Sequence, residues 1–471
     1  MVGMIPRKIG CFEVLLSHGE YVILVSMVNF FKHAPVRDTY PKRFLEAVAN
    51  RRNVIAGFPL GCPAVSIYAF ASMLGGGLVV AVCPSARHIR RKLDYFKAAG
   101  FKFPDVAFLD GAQMPHEERS VAQEVNRNRV RLLYTTPERF TSLTFLEILV
   151  HAQVHFMVIE EADRFLSMTP GHALYQRFQQ EGLSQLRRLP PLALMTPPLP
   201  SSRFRELSER LGLDDYYAIQ CPPLIEPVEL QVRRLMTEHQ KFTLLADTLA
   251  GSPGPGKVGS LATPGAVLIQ AAYPAQAEKL GASLLDYGFE SVWITHFKKT
   301  AREQAHVLDV ANTRLNAIVV NAGSDMRYWL PPVEANPRLV FWSPPASVDD
   351  LFMQIFRQSQ QTMQMAYGEQ HLMKGLILYT KEDFEAAIRR LQANKNLDDD
   401  ELHEKTRLLR HYRRWVLSED CRLQSLTAYY QSASTVEVPP CGKCDRCLEK
   451  RSGRKKKYPL LVDKLLQRWF Y

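Results

Sequence analysis

Four cysteines in the last part of the chain have the spacing of a metal site. Cys441, Cys444 and Cys447 stand three residues apart in CGKCDRC, and Cys421 lies 20 residues before the first of them. Thiolate sulfurs at about 2.3 Å suit tetrahedral Zn²⁺, and four of them close the coordination sphere, so the site is structural rather than catalytic. Pro439, Pro440 and Gly442 favour a turn around the metal, while Arg422, Lys443 and Arg446 offset part of the thiolate charge. An iron–sulfur cluster also uses four cysteines and is the rival occupant. The remaining cysteines, Cys11, Cys62, Cys83 and Cys221, share no such spacing and read as buried thiols of a reducing compartment.

A chain of 471 residues exceeds one ordinary core and implies several domains. Its 46% hydrophobic content is normal for globular domains. Its formal charge of +11 favours polyanionic partners, DNA or RNA before an anionic membrane. The apolar run Val22–Val28 is bracketed by His18, Glu20 and Asn29 and is too short to span a bilayer. No secretory signal is visible, so cytosol, nucleoid or nucleus is the expected location and no membrane partner is expected.

From Asn53 onward, short runs such as Leu78–Val82, Val130–Tyr134, Phe156–Ile159, Leu192–Met195, Val267–Ile269, Ser291–Ile294, Ala317–Val320 and Leu339–Trp342 have strand length. Helix-like stretches, His88–Ala99, Phe204–Leu211, Ala275–Tyr287 and Ala301–Ala311, alternate with them. Such alternation predicts βαβ units, parallel sheets and an α/β fold class. Pro222, Pro223 and Pro227 mark a boundary, and residues 251–260 (GSPGPGKVGS) read as an exposed loop. The expected organisation is an N-terminal segment (1–49), two α/β lobes (50–222 and 223–383), a charged helical cysteine module (384–448) and a basic tail (449–471).

The segment Cys421–Leu448, with its Cys-Arg pair, its Tyr429-Tyr430 pair and PCGKCDRC, closely resembles the zinc-binding region of RecQ-family DNA helicases. Tyr134-Thr-Thr-Pro-Glu-Arg139 is similar to that family's YxxPER motif, and Ile159-Glu-Glu-Ala-Asp163 sits where its DEAH box belongs. The stretch from Met353 to Gln361 falls at motif VI, and Gly375–Tyr379 resembles the strand that closes the second lobe. The resemblance covers roughly residues 40–448. It implies two RecA-like parallel-sheet lobes followed by a small helical zinc-binding module, and a DNA-binding face that includes Arg139.

The same alignment of motifs shows departures. The family holds ATP with a glycine-rich loop, a lysine for the β- and γ-phosphates and a hydroxyl on Mg²⁺. Here the loop retains Gly61, but Ala64 stands at the lysine position and Val65 at the hydroxyl position. Glu160 replaces the Mg²⁺-linked Asp, Glu161 matches the water-activating Glu, and Asp163 replaces the His. Gln358 and Gln361 stand where two arginines belong, with Arg357 one residue off register. An adenine-reading Gln is missing near Tyr40–Leu45. ATP hydrolysis is therefore expected to be impaired or lost, with Glu160 and Glu161 as residual acids. The 24 residues after Cys447 leave no room for the family's winged-helix domain, so duplex unwinding is not expected.

Basic residues remain to hold phosphates without ATP. The candidates are Arg87, Arg90, Arg91 and Lys92 on one helix, Arg139, the arginines of 407–414, and Arg454–Lys457. The expected function is a RecQ-like pseudo-helicase or scaffold that binds single-stranded or forked DNA, or RNA, with a protein partner as a further expectation. An active ATP-dependent 3′–5′ helicase and a protein-interaction module without nucleic-acid affinity are the alternatives.

Overall fold

The β-branched and leucine-rich runs form strands because burial on both faces rewards continuous apolar sequence. The computed structural model describes residues 5–9, 12–16, 39–58, 64–74, 77–98, 105–166, 172–186, 190–221, 229–250, 265–323, 326, 329, 337–352, 354–355, 374–394, 397, 399–430 and 439–452. The chain divides into two units, residues 1–224 with 430–433, and 225–429 with 434–471.

In the first unit, an antiparallel pair β1 (Ile5–Ile9) and β2 (Phe12–Leu16) precedes the main sheet. That sheet contains β3 (Val54–Gly57), β4 (Leu78–Val82), β5 (Val106–Leu109), β6 (Leu132–Thr135), β7 (Val154–Glu160), β8 (Leu192–Thr196) and β9 (Tyr217–Gln220). The order is β5-β6-β4-β7-β8-β3-β9, and every pairing is parallel. Strand alternation sends Ala56, Val79, Ala81, Phe156 and Val158 into one core, with Phe44, Ile67 and Tyr68. The opposite set, Ile55, Val80, Val82, Met157 and Ile159, packs with Phe145 and Phe204 on the other face.

The second unit has its own parallel sheet of β10 (Glu229–Arg234), β11 (Val267–Gln270), β12 (Val292–His296), β13 (Ile318–Ala322), β14 (Arg338–Phe341) and β15 (Lys374–Tyr379). Its order is β10-β15-β14-β11-β13-β12. Helices Pro274–Asp286 and Ala301–Thr313 cross between strands, the second opened by a capping box of Thr300 and Glu303. After β15, helices Lys381–Gln392, Asp399–Leu417, Arg422–Tyr430 and Asp445–Ser452 build the helical region that carries the cysteines. The architecture is therefore two parallel-sheet α/β lobes of RecA type with a helical cysteine-bearing module. Among the described residues, no helix is long and apolar enough to cross a membrane.

Candidate functional site

The cysteines converge. The Sγ atoms of Cys421, Cys441, Cys444 and Cys447 all lie within 4.8 Å of one another. The Cys441–Cys447 and Cys421–Cys444 sulfur pairs are each 3.9 Å apart. A tetrahedral ion with metal–sulfur bonds of about 2.3 Å sets its sulfurs about 3.8 Å apart, so the group can hold one metal ion. Gly442 adopts φ +72°, the left-handed conformation that lets the CGKC turn bring Cys441 and Cys444 together. Backbone N–H groups already point at the sulfurs. Cys441 N donates to Cys421 Sγ at 3.2 Å, Cys444 N to Cys441 Sγ at 3.4 Å and Arg422 N to Cys444 Sγ at 3.4 Å. Donation from the Cys441 thiol, against the opposing effect of burial, pulls the Cys444 thiol down to about 4.

The side chains of Arg422 and Arg446, beside the cluster, are engaged by other partners than the thiolates. Arg422 is buried and forms a two-pronged pair with Asp445, Nε to Oδ1 at 3.0 Å and Nη2 to Oδ2 at 3.1 Å. Its remaining nitrogen, Nη1, donates to the carbonyls of Trp415 at 2.7 Å and Val416 at 2.9 Å. Arg446 donates to Ser418 O at 2.9 Å and pairs with Glu449 at 3.0 Å. Arg422 thus ties the helix Asp399–Leu417 to the start of the helix Asp445–Ser452 and braces the two parts of the chain that supply the sulfurs.

In the first lobe, the acidic residues at the end of β7 sit in a closed polar cluster. Lys92 Nζ donates to both carboxylate oxygens of Glu160. Tyr68 Oη donates to Glu160 Oε1 at 2.6 Å, Cys83 Sγ reaches Oε2 at 3.6 Å, and Tyr134 Oη lies 3.1 Å from Tyr68 Oη. The side chains of Lys92 and Glu160 are only 14% and 11% exposed. Burial opposes the charge on Glu160. The Lys92 ammonium and the Lys92 and Tyr68 hydrogen bonds outweigh it and hold the carboxyl below the ordinary range. Burial also opposes the Lys92 charge, and Glu160 more than compensates, so the Lys92 pKa is raised. Burial first, and Glu160 second, push the Tyr68 phenol and the Cys83 thiol well up.

Glu161 lies at φ +50°, ψ +43°, a left-handed backbone rare for a non-glycine residue. Its carboxylate accepts from Arg164 Nε at 2.8 Å and stands 3.6 Å from His88 Nε2. Ala64 and Val65 open the helix Ala64–Leu74 and present neither an ammonium nor a hydroxyl. A Mg²⁺–nucleotide does not fit these described residues, because the Glu160 charge is already matched by Lys92 and no cation or hydroxyl stands at 64 or 65. Gly61, Arg357, Gln358 and Gln361 lie outside the described residues.

Lys92 corrects the phosphate-contact expectation. On the helix Ala86–Ala98 it shares the inward stripe with Ile89 and Phe96, which are fully buried, so its amine meets Glu160 instead of solvent. The spacing 89, 92, 96 is visible in the sequence and is the signal that would have placed it inside. Arg90 is exposed and Arg87 half-buried on that helix, while the side chain of Arg91 lies outside the described residues. Arg139 is largely buried, ion-paired with Glu118 and set over the Phe145 ring at 5.7 Å. The structure thus gathers the four cysteines and, separately, Glu160 with Lys92.

On the helix Asp399–Leu417, His403, Arg407, Arg410 and Arg414 are exposed at helical spacing, one basic face. Arg454–Lys457 lie outside the described residues.

No family model matches the chain. Two curated bacterial proteins, both ATP-dependent DNA helicases RecQ, are similar to parts of it. That of Haemophilus influenzae is 21% identical over 118 residues, covering 25% of this chain and 19% of the relative. That of Bacillus subtilis is 22% identical over 136 residues, covering 29% and 22%. The matched stretch spans about a fifth of these relatives' own length. Among solved structures, the Mycobacterium smegmatis helicase Lhr bound to ssDNA and AMP-PNP aligns with a TM-score of 0.50 at 18% identity, covering 79% of this chain and 49% of that one. Dbp5 of S. cerevisiae, bound to RNA and ADP BeF3, aligns with a TM-score of 0.54 at 14% identity, covering 83% and 96%. The chain shares the two-lobe α/β fold of these helicases. Within that helicase fold, the polar cluster around Glu160 lies at the carboxyl end of β7, outside the sheet edge where α/β folds receive ligands.

Proposed function

We propose that this chain is a RecQ-like helicase-fold protein that binds nucleic acid, carries structural zinc on Cys421, Cys441, Cys444 and Cys447, and does not turn over ATP. The observation that carries the loss of turnover is the Lys92–Glu160 pair. In nucleotide hydrolysis at such a lobe, Mg²⁺ needs an acidic ligand at the end of this strand and a hydroxyl from the phosphate loop. Here a lysine already neutralises the acid in a largely buried site, and the Val65 side chain has no oxygen to offer. Drawing Glu160 towards a metal would strand a buried ammonium, a cost of several kcal/mol.

Nucleic-acid binding is supported by the net charge of +11 and by the exposed face of Arg407, Arg410 and Arg414. Phosphate contacts of this kind need no nucleotide. Zinc, rather than an iron–sulfur cluster, is supported by the 4.8 Å span of the four sulfurs, which suits one ion and is too tight to enclose several irons. RecQ kinship is supported by the matched stretches and by the cysteine module.

The test is an ATPase measurement with single-stranded DNA and RNA, alongside Mg-ATP calorimetry. The expected result is no turnover and no Mg²⁺-dependent nucleotide binding, with strand binding that weakens as salt rises. Strand-stimulated turnover that disappears in Glu161→Gln would overturn the assignment.

A further inference from the structure

Phe297 is 46% exposed, although a phenylalanine at the end of a sheet strand has an apolar core within reach. It follows β12 directly, and its N–H donates to Ala322 O at 3.2 Å, which extends the pairing with β13 by one residue. The ring is seated against the backbone of Gly323. A Cβ at 323 would lie 3.2 Å from Phe297 Cδ1, and Gly323 takes φ +75°. A fixed aromatic face therefore stands at the carboxyl ends of two neighbouring parallel strands, the end of an open α/β sheet where ligands are received.

The charges beside it are unequal. Lys298 and Arg302 are both exposed. Among the described residues, the nearby acids are occupied: Glu278 accepts from His296 Nε2 at 2.9 Å and lies 3.6 Å from Lys299, while Glu303 closes the capping box with Thr300. Lys299 is turned inward and donates to Ile294 O at 2.9 Å. An exposed ring followed within five residues by two exposed cations matches a ligand that pairs a flat π-face with an anion, which is one nucleotide of an unpaired strand.

We propose that Phe297 is a stacking platform for a base of single-stranded nucleic acid, with Lys298 and Arg302 meeting the adjoining phosphates. The inference rests on the nucleic-acid reading above and deepens it by naming where a base is held. Gly323 acts as a positioning residue that keeps the ring in place.

The test is fluorescence anisotropy with a labelled single strand, as DNA and as RNA, and with the same strands carrying abasic sites. The wild-type protein should hold the base-bearing strand more tightly than the abasic one. Phe297→Ala should lose about 5- to 150-fold on the base-bearing strand. It should lose little on the abasic strand and keep the salt dependence unchanged, whereas Phe297→Tyr should restore binding. Lys298→Ala should weaken both strands alike and lower the salt slope. Equal affinity of the wild-type protein for base-bearing and abasic strands would overturn the platform whatever the variants do. So would unchanged binding by folded Phe297→Ala. Failure of the wild-type protein to hold any strand would instead remove the nucleic-acid reading itself, and the platform with it.

Discussion

Removing one partner of the Lys92–Glu160 pair leaves the other charge buried without compensation. Glu160→Gln should therefore destabilise the first lobe by about 3–5 kcal/mol in denaturant unfolding. Replacing both residues with leucine and methionine should cost far less, since a buried pair seldom outperforms an apolar filling. The pair also gives stability a pH signature. Glu160 has a lowered pKa, so its contribution is full above the unfolded value of about 4.3 and fades as pH falls through the lower folded value. Lys92 has a raised pKa, so its contribution is full below about 10.4 and fades as pH rises through the higher folded value. Towards the acid and alkaline extremes the wild-type protein should lose stability relative to the leucine–methionine variant, in which neither position titrates. A constant difference across pH would show that the charges contribute nothing. Lys92 was legible as an inward residue from its spacing with Ile89 and Phe96, whereas its partner was not, because Glu160 stands 68 residues away along the chain.

At the scale of elements, the proposed zinc site makes the cysteine module depend on both a metal and the Arg422 brace. Cys444→Ser should release zinc and unfold the segment 421–448, read by metal content and by proteolysis; a stable, zinc-loaded variant would show that the ligand set is wrong. Arg422→Ala removes the partner of buried Asp445 and two further hydrogen bonds, and should cost about 3–5 kcal/mol while leaving all four sulfur ligands in the sequence. Zinc affinity should fall with it by roughly 10–100-fold, the usual effect of losing an outer-shell partner. The strands that the apolar pattern anticipated are mostly the central ones, such as β4, β7, β8, β11 and β13. Those it left out include β5, β9 and β10, which lie at sheet edges. The edge strand β10 reads Glu-Leu-Gln-Val-Arg-Arg and buries only alternate residues, so it lacks the continuous apolar run of an interior parallel strand. The charged stretch after residue 383, read as one helical region, forms two helices, Lys381–Gln392 and Asp399–Leu417.

For the whole molecule, a nucleotide-independent binder should treat strand and salt simply. Affinity for a single strand should fall linearly on a log–log plot against salt, by about 0.7 per phosphate contact, and should not change on adding Mg-ATP. Substituting Arg410 and Arg414 with alanine should lower that slope by about 0.7 each and weaken all sequences alike. Affinity that responds strongly to Mg-ATP would mean the helicase fold still couples nucleotide to strand.

What the sequence determined by itself were features whose geometry is local. Three of the four thiols lie within seven residues, and a glycine in the turn suffices to gather them, so a cysteine cluster able to hold a metal ion could be read from spacing alone. The alternation of strand and helix was likewise readable, because burial on both faces of a parallel sheet leaves its mark on each central strand. The tertiary structure decided which charges are free. It turned Lys92 from a surface cation into the partner of Glu160, engaged Arg139 with Glu118, and stood Phe297 against Gly323 at the ends of adjoining strands. These contacts join residues far apart in the chain, and only sheet pairing and helix packing bring them within bonding distance.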